Sequence, residues 1–242
     1  MKNLIIALGL LLPMAANALI IDAELTSFQH SDVSLNGASP AGGIGTFELM
    51  TDVTGTAADF LGGSFLAACL EPNEFVSVGN SYRFEFVDLR EAPTSVAGGM
   101  GFVREQVVER IMTGLGWDSV ADVVAAGSVG ISAMGMVLYE AAFETEAAFD
   151  WTAGTAQVTG SGAALAATVA SHATSSATPA VEAYGLLNVA AIPTTRTLFT
   201  GQDFVVMQAA TNVGAPGAGL LVTLGLGLLG VTRTKRGNHY AS

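Results

Sequence analysis

The chain has one cysteine in 242 residues, Cys69, inside the stretch SFLAACLEP. A lone thiol has three readings. It packs as a small apolar residue, it pairs with another chain in an oxidising compartment, or its surroundings activate it as a nucleophile. The apolar run from Phe65 to Leu70 favours packing. A second group that could do chemistry is acidic: Glu140, Glu144, Glu146 and Asp150. Two carboxylates across a sugar bond would make a glycosidase pair. At helical spacing near a helix end they read more simply as a solvated face.

Other motifs give less. His30, His172 and His239 share no metal-ligand spacing, so no metal site is expected. Gly225, Gly227 and Gly230 match GxGxxG, but no strand precedes them and the segment is uniformly apolar, so a dinucleotide site is rejected. No GxSxG elbow is present, which removes support for a serine hydrolase. The residues call for no cofactor and name no catalytic residue.

The elements that must position these side chains come in blocks. LIIDAELTSF alternates Ile21, Ala23 and Leu25 with polar neighbours, a half-buried strand. GTFELMTDV alternates again. SFLAACLEP reads as an apolar strand stopped by Pro72. SYRFEFVDL places Tyr82, Phe84 and Phe86 on one face. The period then lengthens. MGFVREQVVERIMTGLG predicts a helix with Val103, Val107 and Ile111 on its buried stripe, ended by Gly114 and Gly116. WDSVADVVAAGSVGISAMGMVLYEAAFE predicts a second, more apolar helix with Asp118 or Ser119 as cap. Gly127 and Gly130 can split it in two, and Met134, Met136 and Leu138 read as core. The alanine-rich stretch from Ser161 to Pro193 reads as helix broken at HATSSATP. TRTLF and DFVVMQA read as closing strands. The expected body is α+β, a β-rich sandwich or barrel with two to three inserted helices.

The ends carry addresses. MKNLIIALGLLLPMAANALI has a basic start, a short apolar run and an Ala16-Asn17-Ala18 cleavage site, so residues 1–18 read as a signal peptide. Residues 213–232 are apolar or small without a charge. At about 1.5 Å per residue, they are long enough to cross a hydrocarbon core as one transmembrane helix. Arg233, Lys235 and Arg236 follow at once, and basic residues beside a span stay on the cytoplasmic side. Residues 233–242 would then form a cytoplasmic tail, with the exported domain, residues 19–212, outside. That body has five arginines, no lysine and all 21 acids, a net charge of −16. Such a surface repels nucleic acid and anionic lipid headgroups.

With these features in hand, the C-terminal plan resembles the sorting tail of PEP-CTERM-type bacterial envelope proteins. GAPG, with Pro216, precedes a Leu/Gly span and the basic stop. The usual Pro-Glu-Pro signature is shortened here to one proline. The resemblance implies an exosortase-like sorting protease as partner and a transient anchor in the inner membrane. The body resembles one group of such proteins through FLAACLEP, GNSYRF, MGFVRE and GQDFVVM, in that order. That group is similar to thioester domains of surface adhesins, in which a cysteine and a glutamine join covalently. Aligned on the group's AFQLALWE helix, the glutamine position falls on Gly135, which has no carboxamide. Gln106, Gln157, Gln202 and Gln208 are among the glutamines left, and nothing in the sequence aims them at Cys69.

The expectation is therefore a non-enzymatic protein of the envelope or extracellular matrix, with a surface or biofilm role and an extracellular polysaccharide or surface partner. Pro216, Arg233, Lys235 and Arg236 carry its sorting signal, and Cys69 is a remnant of a thioester strand. The alternatives are a thioester adhesin using Cys69 with another glutamine, a secreted hydrolase using the acids near Glu140 to Asp150, and a membrane protein whose tail is never processed.

Overall fold

The computed structural model describes residues 19–37, 42–50, 61–71, 76–144, 149–151, 153–189 and 202–210. The signal peptide, the span, the basic tail, Pro216, Arg233, Lys235 and Arg236 lie outside the described residues, as do Pro72, Glu146 and TRTLF. Among the described residues no helix is long and apolar enough to cross a membrane.

Six antiparallel strands close into a barrel in the order β1-β3-β4-β8-β7-β5. These are β1 (Leu19–His30), β3 (Gly43–Leu49), β4 (Ser64–Cys69), β5 (Ser81–Asp88), β7 (Val181–Asn188) and β8 (Phe204–Ala209). Two short strands, β2 (Ser34–Leu35) and β6 (Val158–Thr159), pair separately. The expected α+β barrel-like body is present, and the barrel alternative holds over the sandwich.

β1 is long because it serves two partners. Leu19–Glu24 pairs with β5, Ala23–His30 pairs with β3, and a register shift lies between Leu25 and Ser27. Such an irregularity bends a strand and increases its twist, which helps a sheet curve. Asp22 lies opposite Arg83, and the guanidinium donates to both carboxylate oxygens, at 2.6 and 2.7 Å. This two-point bond favours one register, since a slip by one residue would turn every side chain to the other face.

The alternation read in the sequence is the barrel's inside and outside. Ile21, Ala23, Leu25, Phe47, Phe65, Ala67, Cys69, Tyr82, Phe84, Leu186, Phe204 and Val206 form the inner core. Phe47, Phe84 and Phe204 meet edge to face, with centroids 5.0 to 5.9 Å apart. A barrel this narrow is filled by side chains and leaves no channel.

The outer faces of β3, β4, β7 and β8 are covered by a helical block inserted between β5 and β7. It comprises α1 (Phe102–Leu115), α2 (Val120–Ala125), α3 (Gly127–Phe143) and α4 (Ala166–Ala173), plus 3₁₀ turns at Leu89–Glu91 and Ser161–Leu165. Ile44, Ala68, Leu70, Val205 and Met207 pack there against Met134, Val137 and Leu138, in a second core. The Ser119 hydroxyl accepts from Asp122 N–H and caps α2. The two helices part at Ala126, and Gly127, with φ +73°, opens α3. The predicted split and the methionine core are both found.

Three expectations are corrected. Val103 is 72 % exposed and Val107 half-buried; α1 buries the expected Ile111 together with Val108 and Met112. Its stripe is set by the more C-terminal contacts, and the first turn projects beyond the core. Gly114 does not end α1: it lies in the helix, where His172 packs on it, and Gly116 is the left-handed cap. The alanine-rich stretch is helical only to Ala173, since VEAYGLLN is strand β7. Val181, Ala183 and Leu187 face the helices while Leu186 enters the barrel, and pairing with β5 and β8 outweighs alanine's local preference.

Candidate functional site

Cys69 is the last residue of β4 and points into the barrel, 2 % exposed. It pairs across the ladder with Phe204. The chain then leaves the barrel through Leu70 and Glu71, and here it meets the Gln202-Asp203 entry to β8. Leu70 N–H donates to the Asp203 carbonyl at 2.9 Å, Asp203 N–H donates to Glu71 Oε2 at 3.2 Å, and the Gln202 amide donates to the Glu71 carbonyl. The Asp203 carboxylate takes Thr94 N–H at 2.7 Å, the Thr94 hydroxyl at 2.9 Å and Asn188 N–H at 2.6 Å. Glu71 Oε1 takes Ser95 N–H at 3.1 Å. Two buried carboxylates thus tie the ends of β4, β7 and β8 to the loop after β5. Sequence reasoning missed this network. Its signal was the pair of short polar motifs, Glu71 and Gln202-Asp203, each set against an apolar strand.

Burial pushes the Asp203 carboxyl up to about 6, and the nearby Glu71 charge adds to this, although the three donors hold it down. The Cys69 thiol is pushed well above its ordinary value by burial, with only the Gly43 backbone opposing. A buried, protonated thiol is a poor nucleophile. Of the three readings, packing is the one its placement fits.

Tyr139, on α3, reaches the same place. A Cβ at Gly42 would stand 2.2 Å from the Tyr139 hydroxyl and 3.3 Å from Cys69 Cβ, so these side chains converge on that glycine. Gly42 also has φ +89°. Burial, and then the neighbouring Cys69, push the phenol well above its ordinary value. The Gln202 carboxamide is near enough to oppose this, but the hydroxyl makes no hydrogen bond of good geometry. A buried unpaired hydroxyl costs about 1–3 kcal/mol. Tyr139→Phe is therefore expected to leave stability unchanged or raise it by about 1 kcal/mol, read as the urea midpoint. A clear loss would show that the hydroxyl has a partner.

Gly135 does not face Cys69. A Cβ there would lie 3.2 Å from Val33 Cγ2 and 3.9 Å from Ser31 Oγ, so Val33 occupies the approach. Of the chain's five glutamines, Gln29 and Gln157 are exposed, Gln106 and Gln208 are half-buried, and Gln202 is buried beside the end of β4. The fold thus brings one glutamine towards Cys69.

The acids of α3 are not a solvated face, contrary to expectation. Glu140 is 1 % and Glu144 5 % exposed. Glu140 Oε1 accepts Asp150 N–H at 2.8 Å, and burial pushes this carboxyl up to about 7. Glu144 accepts the Thr155 hydroxyl at 2.7 Å and Ala156 N–H at 3.1 Å. They hold the returning loop, whose polar main chain needs acceptors where the helix end buries it. Asp150 is exposed. His30 stands edge-on to Phe28 and His172 lies against Gly114, so they share no site. Among the described residues no cluster of three or more His, Cys, Asp or Glu could hold a metal.

Comparison of the chain with protein-family models, with curated proteins and with solved structures gave no significant match.

Proposed function

We propose that this chain is a non-enzymatic, exported protein of the bacterial envelope or extracellular matrix, held by its C-terminal span until an exosortase-like protease processes it. The observation that carries the non-enzymatic part is the use made of its buried acids. Glu71, Glu140, Glu144 and Asp203 each accept main-chain N–H groups that hold loops to the barrel and to α3. The export part is supported by the signal-like residues 1–18 and by the span with its basic stop at Arg233, Lys235 and Arg236. Intact mass of the protein recovered from its native envelope tests both. The expected mass begins at Leu19 and lacks residues beyond the Pro216 region. Recovery of the uncut chain from the cytoplasm would sink the proposal.

A second reading is favoured by the placement of Gln202. It lies two residues from Phe204, the cross-strand partner of Cys69, and such diagonal neighbours are about 7–8 Å apart. In a thioester adhesin the Cys69 sulfur would attack Gln202 Cδ, with ammonia leaving and the thiol proton going to it. The same mass measurement separates the readings. A thioester lowers the mass by one ammonia and takes up one methylamine. An unshifted mass that methylamine leaves unchanged disposes of it.

A further inference from the structure

The barrel has one short join. β3 pairs with β4 over five residues and β7 with β8 over six, but β4 and β8 pair only at Ala68↔Val205 and Cys69↔Phe204. Towards Ser64 on one strand and Ala209 on the other the ladder does not continue. A cavity of about 270 Å³ lies in this stretch, lined on its two sides by Ser64, Phe65 and Leu66 of β4 and by Val206 and Met207 of β8. Thr46, Leu61 and the first turn of α2, Ser119 to Ala121, complete it.

Its floor draws on both cores. Leu61, Phe65 and Val206 belong to the barrel interior, while Leu66, Met207 and Val120 belong to the layer under the helices. The wall of the barrel is therefore interrupted here. Its described rim is polar without being charged: no Asp, Glu, Lys, Arg or His is among the described residues that line it. Ser119 is engaged in capping α2 and Thr46 in a bond from Ser27, whereas the Ser64 hydroxyl bonds no described residue.

We infer that the β4–β8 join is a binding site for one ring of an uncharged saccharide. The argument is one of matching chemistry. An apolar floor suits the C–H face of a sugar ring. Hydroxyls at the rim, and main-chain groups that a ladder would otherwise use, suit its hydroxyls. The site opens to water, which favours a hydroxylated ligand over a wholly apolar one. With no cation among the described rim residues and a net charge of −16 on residues 19–212, an anionic uronate is repelled. The inference depends on the envelope reading for where such a polysaccharide is met, but its geometry is independent of the tail.

Saturation-transfer NMR on the full chain in a zwitterionic detergent tests the site. The probes are cellobiose, N,N′-diacetylchitobiose and digalacturonate. Transfer to at least one neutral disaccharide is expected at millimolar concentration, with little to digalacturonate. Ser64→Trp and Ala121→Trp, at exposed rim positions, should each weaken the neutral signal by about tenfold, with unfolding midpoints near the parent's confirming that both variants fold. No transfer to either neutral sugar overturns the inference. So does equal binding of digalacturonate, or a signal undiminished in both variants. None of these outcomes touches the envelope reading, which the mass of the mature chain decides.

Discussion

Asp203→Ala should destabilise the protein by about 3–5 kcal/mol, read as a fall in the urea midpoint. The side chain is fully buried and accepts three donors, Thr94 N–H, the Thr94 hydroxyl and Asn188 N–H. Alanine leaves these part-buried donors without their acceptor, and a donor left unpaired away from water costs about 1–3 kcal/mol. Asp203→Asn keeps one acceptor oxygen and presents an amide N–H₂ to donors on the other side. Its loss should be intermediate, about 1–2 kcal/mol. As pH falls through about 6 the folded parent binds a proton that the Asn variant cannot, so the gap between parent and Asn variant should widen there. An alanine variant as stable as the parent would show that the strand ends do not depend on this residue.

The protein should be more stable at pH 5 than at pH 7.5. Asp203 has its carboxyl pushed up to about 6, and Glu109 and Glu140 theirs to about 7, in each case chiefly by burial. At Glu109 the like charges of Glu105, Glu182 and Asp88 add to this, while Ala183 N–H opposes it. In the unfolded chain the same groups return to ordinary values of 3.8 and 4.5. Between those limits the folded state binds more protons than the unfolded one. Stability therefore rises as pH falls through the folded values, and levels off below the unfolded ones. Each fully coupled group contributes a slope of up to about 1.4 kcal/mol per pH unit. Glu109 contributes less, because it stays in partial contact with water. Asp32 is held below its ordinary value, first by Ser132, so its contribution is lost only at still lower pH. Urea midpoints across this range check the slope, and a midpoint that rises with pH would contradict it.

What could be read from the sequence followed from periodicity. Ile21, Ala23 and Leu25, and Tyr82 and Phe84, alternate because one side of their strands faces the barrel interior, and that pattern is local. The methionines of α3 and the Ser119 cap are local in the same sense. What could not be read depends on distant partners. VEAYGLLN has an alanine-rich neighbourhood, and only the edges of β5 and β8 make it a strand. Glu140 and Glu144 look like surface charges until the loop at Asp150 to Ala156 folds over them. The meeting of Glu71 with Gln202 and Asp203 spans 131 residues or more, and no spacing rule encodes it. The apolar run around Cys69 is local and accords with its buried place, but its direction, into the barrel and towards Tyr139 and Gln202, depends on the closed sheet.

The strand order has a consequence for a chain that emerges amino end first. β5, β1, β3 and β4 are neighbours in that order and all lie within residues 19–88, so they can assemble as a four-stranded open sheet early. That sheet leaves two bare edges, β5 and β4. Both are covered only by the β7–β8 hairpin, which follows the whole helical block and ends at Ala209. Pairings this remote in sequence form slowly, and uncovered edges invite pairing between molecules. An emerging chain would carry two adhesive margins until the residues up to Ala209 had followed. The hairpin thus acts as a clasp delivered late, and truncation before Phe204 should yield aggregates rather than a smaller folded protein.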